Sequence, residues 1–508
     1  MKKLPLLAFL LMSLFAIGQK KANPTTFAKT ITAEDLQKHL YTVASKEMQG
    51  RETASPGQKK AAAYIENHFK SLGLLPGNNG SYQMTYPVFR DEPGKSVFEI
   101  NDKEYKLNDD YQPYNFSNYN TSQYFSEVVF AGHGMVDSAA DDYQGLNISG
   151  KLVMILDGAP DTYKASAAGS AGIFTKIVNA QKRGAAAILI VANNFPRRPG
   201  RTGAMYQELY KPTQYLNTYF ISEKLAATLT GDVDWGNIKI DAKQGRVPSR
   251  VYAENVHLQL DKTVSKLESS NVIAVLEGTD LKDEYVFVTA HYDHLGIRND
   301  TTIYYGADDD GSGTVSVLEM AEAFSKAKAA GFGPRRSIVF MTVSGEEKGL
   351  WGSEYYSNHP IFPLEKTSVD LNIDMIGRIG EEYLKSKDSA NYVYIIGDDK
   401  LSTDLAPITD KVNKNVKLKL DRKYNDLKDP NRFYYRSDHY NFAEKGVPII
   451  FYFNGVHADY HRVTDTPDKI NYKLMAKRAQ LVFYTAWEMA NRNDMLKRDL
   501  KLDKPKGF

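Results

Sequence analysis

Five short stretches of this sequence place carboxylates or imidazoles where they could hold metal ions. The apolar run EYVFVTA leads into His291-Tyr292-Asp293-His294, and after a short loop comes GADDDGSG, residues 306–313. RSIVFMTVS leads into Gly345-Glu346-Glu347, and SVDLNI leads into Asp374-Met375-Ile376-Gly377. VPIIFYF is followed by a loop holding Asp459-Tyr460-His461. Such runs read as buried strands, and open α/β sheets bind ligands outside the carboxyl ends of their strands. Four strand ends therefore send imidazoles or carboxylates to one rim, and the loop after the first adds three aspartates. Bare carboxylates held close together raise one another's pKa. Divalent cations offset that repulsion. Two histidines and three carboxylates suit two hard-to-borderline ions such as Zn²⁺, with one carboxylate shared between ions that sit about 3.5–4 Å apart in such sites.

Spacing leaves several choices open. It does not choose the shared acid among Asp308, Asp309 and Asp310, nor say which of Glu346 and Glu347 touches metal. Asp374, flush against an apolar strand, reads as a buried acid that needs a partner. Asp293, two residues past His291, is placed to accept the other ring N–H of a ligating imidazole. His294 and His457 are kept as neighbours of these residues. His39, His68, His133, His257 and His359 show no acidic partner at matching spacing and read as structural or surface groups. Arg436-Ser437-Asp438-His439 reads either as part of a substrate pocket or as a helix start with Ser437 or Asp438 as cap.

The motifs HYDHLG, GADDDGSG, SGEE, NIDMIG and YHRVTDTPD resemble, in order and separation, those of the zinc aminopeptidases of metallopeptidase family 28. The lead-in MQGRETASPGQKKAAAYIENHFKSLGL is similar to that of the same family. The resemblance implies that His291 and Asp374 bind one zinc, that Glu347 and His461 bind the other, and that Asp309 bridges both. It implies Glu346 as general base and acid acting on a zinc-bridging hydroxide, and Asp293 as the support of His291. Tyr460 stands where some members have a tyrosine that donates to the substrate carbonyl. DYQGLNISGKLVMILDG and FTKIVNAQKRGAAAILIVANN resemble a protease-associated domain, which in the family lies beside the cleft and contributes no ligands. The reading is thus a peptide-cleaving exopeptidase, most simply an aminopeptidase. A carboxypeptidase or dipeptidase of the same architecture shares the ligands. A glutaminyl cyclase-like enzyme, with a single zinc, or a non-catalytic binding module would lack part of the set.

These residues need a frame. The chain has 508 residues, more than one core ordinarily serves. Helical periodicity appears near Thr32, a candidate cap, and over QKKAAAYIENHFKSLGL, where Ala62, Ile65, Phe69 and Leu72 share a face and Gly73 is a stop. KLVMILDG, IFTKIVNAQKRG and AAAILIVAN form a βαβ unit, and 195–215 reads as an exposed loop. From about 270 apolar strands alternate with helices, including Thr314–Ala329 and Tyr472–Asn491. The expected fold is α/β, with a mostly parallel central sheet flanked by helices. The expected organisation is one domain of residues 19–90 and 265–508, interrupted by a β-rich α/β domain at 91–264.

Composition narrows the partners. With zero cysteines, disulfides, thiolate zinc sites and cysteine nucleophiles are excluded. The charges are 64 Lys+Arg against 62 Asp+Glu, and without Lys2 and Lys3 they balance. Nothing general about that charge favours nucleic acid or an anionic membrane. MKKLPLLAFLLMSLFAIG, residues 1–18, has the layout of a secretory signal peptide. The expectation is export to a bacterial periplasm, cell envelope or medium, with no membrane span. Oligomeric state is not legible.

Overall fold

The apolar runs form strands because each has two faces to bury. Val286, Val288 and Ala290 lie in one core, while Phe287 between them lies in a second. Phe340 belongs to the first core, and Val339, Met341 and Val343 to the second. Side chains alternate across a strand, so a sheet covered on both faces reads as unbroken apolar sequence.

The computed structural model describes residues 23–114, 120–138, 140–164, 171–197, 205–208, 215–245, 250–299 and 301–502. The export signal read over 1–18 lies outside the described residues, as do 198–204 and 209–214 of the 195–215 loop. The chain divides into two units, Met1–Tyr86 with Ser269–Phe508, and Pro87–Glu268. Among the described residues no helix is long and apolar enough to cross a membrane.

In the first unit the strands are β1 (Val256–Leu276, from Ser269 onward), β2 (Leu281–His291), β3 (Arg336–Val343), β4 (Thr367–Ile373), β5 (Tyr392–Ile396), β6 (Lys419–Asp421) and β7 (Ile449–Phe453). Their order is β6-β5-β7-β4-β2-β3-β1. β2 pairs parallel with β3 and β4, and β4 with β7, whereas β1 against β3 and β5 against β7 are antiparallel. The sheet is therefore mixed, with a parallel centre as expected. His291 lies opposite Val343 and Ile373 opposite Tyr452, which brings the carboxyl ends of the central strands to one rim.

The helices that pack into the first core include α1 (Ala33–Val43), α2 (Pro56–Ser71), α3 (Gly313–Ala329) and α4 (Tyr472–Asn491), while Tyr356 and Phe442, from the helices Trp351–Asn358 and His439–Glu444, pack into the second. Thr32 caps α1 by accepting the Asp35 N–H. α2 starts two residues before the periodic run beginning at Gln58. Ser55 accepts the Gln58 N–H and Pro56 fills the first turn, so the turn-like SPG is a helix start. Arg51, in the loop before α2, is fully buried. It donates to the carbonyls of Tyr292 (2.7 Å), Val43 (2.8 Å), Tyr305 (2.9 Å) and Gly306 (2.9 Å). One guanidinium thus ties together the end of α1, the residue after β2 and the turn that leads into the acidic loop.

In the second unit, Val128–Phe130, Leu152–Leu156, Ala187–Val191 and Asn217–Ile221 form parallel neighbours, with helix Ile173–Lys182 between the second and third. Arg250–Tyr252 and Tyr111–Pro113 pair antiparallel at the two edges.

Candidate metal centre

The strand ends deliver what their sequence promised. β2 ends on His291, β3 runs into Glu346 and Glu347, β4 into Asp374, and the loop after β7 carries Tyr460 and His461. Between β2 and α3 the acidic loop turns on Gly306, whose φ is +56°. A Cβ there would collide with the Asp309 carbonyl oxygen and the His294 ring, so only glycine suits the turn.

Asp309 lies at the middle of the cluster. Its Oδ1 is 3.2 Å from His291 Nε2, and its Oδ2 is 3.0 Å from His461 Nε2. His291 Nε2 is also 3.6 Å from Asp374 Oδ1, and His461 Nε2 is 3.1 Å from Glu347 Oε2. All five side chains singled out in the sequence therefore converge on one site. Glu346 borders it, with Oε2 3.9 Å from His291 Nε2.

The three consecutive aspartates have different partners. Asp308 Oδ1 accepts the Gly377 N–H (2.6 Å), and its Oδ2 faces His457 Nε2 (3.1 Å). Asp310 Oδ1 accepts the N–H groups of Gly313 (2.8 Å) and Met375 (3.0 Å), and its Oδ2 accepts that of His291 (3.2 Å). These two acids tie backbone. Asp309 alone turns both oxygens to imidazoles. Ligand atoms of His291, Asp310 and Asp374, and of His294, Asp309 and Glu347, also lie within 4.8 Å of one another. His294, kept in the sequence only as a neighbour, contacts Glu347 Oε1 through Nδ1 at 2.8 Å.

Support of His291 differs from the expectation. Its Nδ1 lies 3.1 Å from the Asp293 backbone oxygen and 3.7 Å from the Asp293 carboxylate. The carboxylate instead accepts from Thr53 Oγ1 (2.7 Å) and the Glu346 N–H (3.2 Å). A two-residue offset on a strand end brings main-chain and side-chain oxygens within reach of the ring, and here the main chain is closer. A second correction concerns the capping alternative. A helix, His439–Glu444, does start there with Asp438 at its N-cap, but no side chain caps it. Ser437 accepts from Asn372 (2.9 Å) and Asp438 from Ser353 (2.5 Å), while Arg436 lines the cavity over the acids. Two histidines set aside for want of acidic partners do have them, brought from distant sequence. His39 meets Glu319 (3.3 Å) and His257 meets Glu99 (2.8 Å), neither pair including a residue of this site.

The electrostatics follow from burial and pairing. Burial pushes the Asp309 carboxyl up, but hydrogen bonds from His291 and His461 outweigh it and hold it well below the ordinary range. Glu347 is likewise pushed up by burial and by Asp309, then pulled down to about 2 by His294 and His461. Burial lowers His461, and its bonds to Asp309 and Glu347 raise it to about 10. Glu346 lies well above its usual range because of burial, with Asp374 and Glu347 adding to the shift and His291 opposing it. His294 Nε2 is buried without a hydrogen-bond partner, and His291 Nε2, Asp309 Oδ2 and Glu347 Oε1 are buried with only one another's imidazoles and carboxylates to face. A buried polar atom is rarely left unpartnered, and imidazole nitrogens and carboxylate oxygens aimed at one another fit divalent ions.

The cavity at the acids is lined by Asp309, Glu346 and Asp374, by the apolar side chains of Met375, Phe433, Phe451, Phe453 and Val456, and by Arg436 and Tyr460. The Tyr460 ring stacks on His461, with centroids 3.9 Å apart.

Residues 271–486 match the family model described as Peptidase family M28. Aminopeptidase YwaD of Bacillus subtilis (strain 168) is 32% identical over 140 residues, 26% of this chain and 28% of that protein. The chain thus spans under a third of the length of this curated relative. Among solved structures, an aminopeptidase from Aneurinibacillus sp. strain AM-1 superposes with a TM-score of 0.57 at 21% identity, covering 95% of this chain and 100% of that one. BSAP, a zinc aminopeptidase from Bacillus subtilis, gives 0.55 at 19% identity, covering 93% and 98%. At such identities the likeness is one of fold.

Proposed function

With a peptidase family M28 domain in this chain as the premise, we propose that the protein is an exported aminopeptidase that works with two zinc ions, and that Pro87–Glu268 is an inserted protease-associated domain. The observation that carries the reading is that Asp309 turns one oxygen to each of two imidazoles, His291 and His461. His291, Asp309 and Asp374 would hold one ion, and Asp309, Glu347 and His461 the other. Zinc bound there supplies Lewis acidity and an activated water at neutral pH.

The chain's own groups supply the rest. Glu346 takes the proton of the attacking water and returns one to the departing amine. Its position beside the converging ligands, 3.9 Å from His291 Nε2, suits both tasks. Arg436 Nη2 donates to the Tyr460 oxygen at 3.3 Å, which leaves the phenol proton for the carbonyl oxygen of the scissile bond. The substrate's α-ammonium suits the carboxylates of Glu346 and Asp374 at the cavity, and its first side chain suits the wall of Met375, Phe433, Phe451 and Phe453. The signal-like layout of residues 1–18 supports export.

The discriminating experiment compares leucyl anilide with its N-acetylated form. The account expects cleavage of the free amine only, abolished by a chelator and restored by zinc. Equal cleavage of both would exclude an aminopeptidase, and turnover that persists after metal removal would exclude the zinc chemistry.

A further inference from the structure

In the Pro87–Glu268 unit, the carboxyl ends of Leu152–Leu156 and Ala187–Val191 open onto a cavity of about 630 Å³. Asp157, Asn193, Asn194, Pro196 and Arg197 line it. The size is that of small-molecule sites, roughly 300–1,000 Å³, and the position is where α/β sheets bind ligands.

Arg197 is built in. Its guanidinium lies 4.0 Å from the Phe220 ring centroid. The Arg197 backbone N–H donates to Gln112 Oε1 (2.9 Å), and its backbone carbonyl accepts from Gln112 Nε2 (3.2 Å). Nη1 is buried without a hydrogen-bond partner and stands 3.9 Å from Asp157 Oδ2, beyond hydrogen-bond reach. Asp157 Oδ1 accepts the Gly158 N–H at 2.8 Å, so Oδ2 is the oxygen facing the guanidinium. The buried Lys176 amine nearby is spent on the carbonyls of Leu156 and Gly158. A cation with an unspent donor thus faces an anion just out of reach, with two amide side chains beside them.

We propose that this groove binds a free α-amino acid, its carboxylate on Arg197 and its ammonium on Asp157. A planar guanidinium fork matches a carboxylate in two places. A zwitterion whose charges are separated by one carbon matches a charge pair held slightly apart. Asn193 and Asn194 offer donors and acceptors to the remaining polar edges. The groove shares no residue with the metal centre, so the proposal stands or falls apart from the peptidase reading.

Equilibrium dialysis of the full chain with radiolabelled L-alanine, with and without EDTA, tests it. The expected result is one alanine per chain that EDTA does not release. Arg197→Gln and Asp157→Asn should each weaken this binding at least tenfold. On the unaltered chain, N-acetylalanine and alaninamide, which each lack one charge, should bind at least tenfold more weakly than alanine. That comparison does not depend on how the variants fold. Absence of EDTA-resistant alanine, N-acetylalanine binding as tightly as alanine, or both variants binding like the parent would each overturn the proposal. Failure of the peptidase reading would show separately, as absence of anilide cleavage.

Discussion

Asp465 accepts the backbone N–H of Asp309 at 3.2 Å, so the acid that faces both imidazoles is held from behind by a second, fully buried acid. The same carboxylate takes the Asp308 N–H (3.0 Å). Groups that orient ligands in this way typically contribute 10–100-fold to metal affinity. Asp465→Ala is therefore expected to weaken zinc binding by about that factor, read by chelator competition. Unchanged affinity would mean that the loop holds its shape without this anchor.

Glu346→Gln removes the proton acceptor while leaving the five converging side chains in place. The expected outcome is a loss of about 10²–10⁴-fold in kcat with zinc content unchanged by atomic absorption. Normal turnover would remove Glu346 from the mechanism. Loss of zinc along with activity would make it a ligand.

For Tyr460, the hydrogen-bond pattern predicts a donor that matters as charge develops. Tyr460→Phe should lower kcat by up to about 10²–10³-fold with little change in KM. A rise in KM alone would reassign the ring to substrate packing against His461.

The sequence made some of this site legible and hid the rest, for physical reasons. His291 and Asp374 could be found because each ends a strand whose two apolar faces announce it. Asp309 could not be told from Asp308 and Asp310 by spacing, since the difference lies in which backbone N–H groups each carboxylate accepts. The family resemblance chose it, and in the structure its two oxygens face His291 and His461. Asp465 was in view inside YHRVTDTPD without a role. Arg51, Thr53 and Asp465 act on backbone atoms or on one carboxylate far away in sequence, and such contacts leave no periodic trace. The same reason explains why Glu319 and Glu99 went unseen as partners of His39 and His257. Asp293 was given the right neighbour by the wrong atom.

A buried acid away from the metal centre predicts a pH effect. Asp370, on β4, accepts from Thr289 at 2.8 Å, while its Oδ2 is buried without a partner. Burial raises its pKa to about 8, with Thr289 opposing and Asp438 adding. The unfolded carboxyl titrates near 3.9. Between these values the folded state binds more protons, so this group's contribution to stability falls as pH rises from about 4 to about 8. Asp370→Asn removes that slope, which is on the order of 1 kcal/mol per pH unit. The variant's Tm should exceed the parent's by a margin that grows from pH 5 to pH 8. A margin constant with pH would show that Asp370 does not titrate in this range.

The central claim is that one aspartate serves two ions. Anomalous diffraction at the zinc edge, from crystals of zinc-loaded protein, reads it most directly. The account predicts two peaks about 3.5–4 Å apart, one beside each Asp309 oxygen, with His291 and Asp374 around the first and Glu347 and His461 around the second. A single peak, or two that Asp309 does not touch, would contradict it.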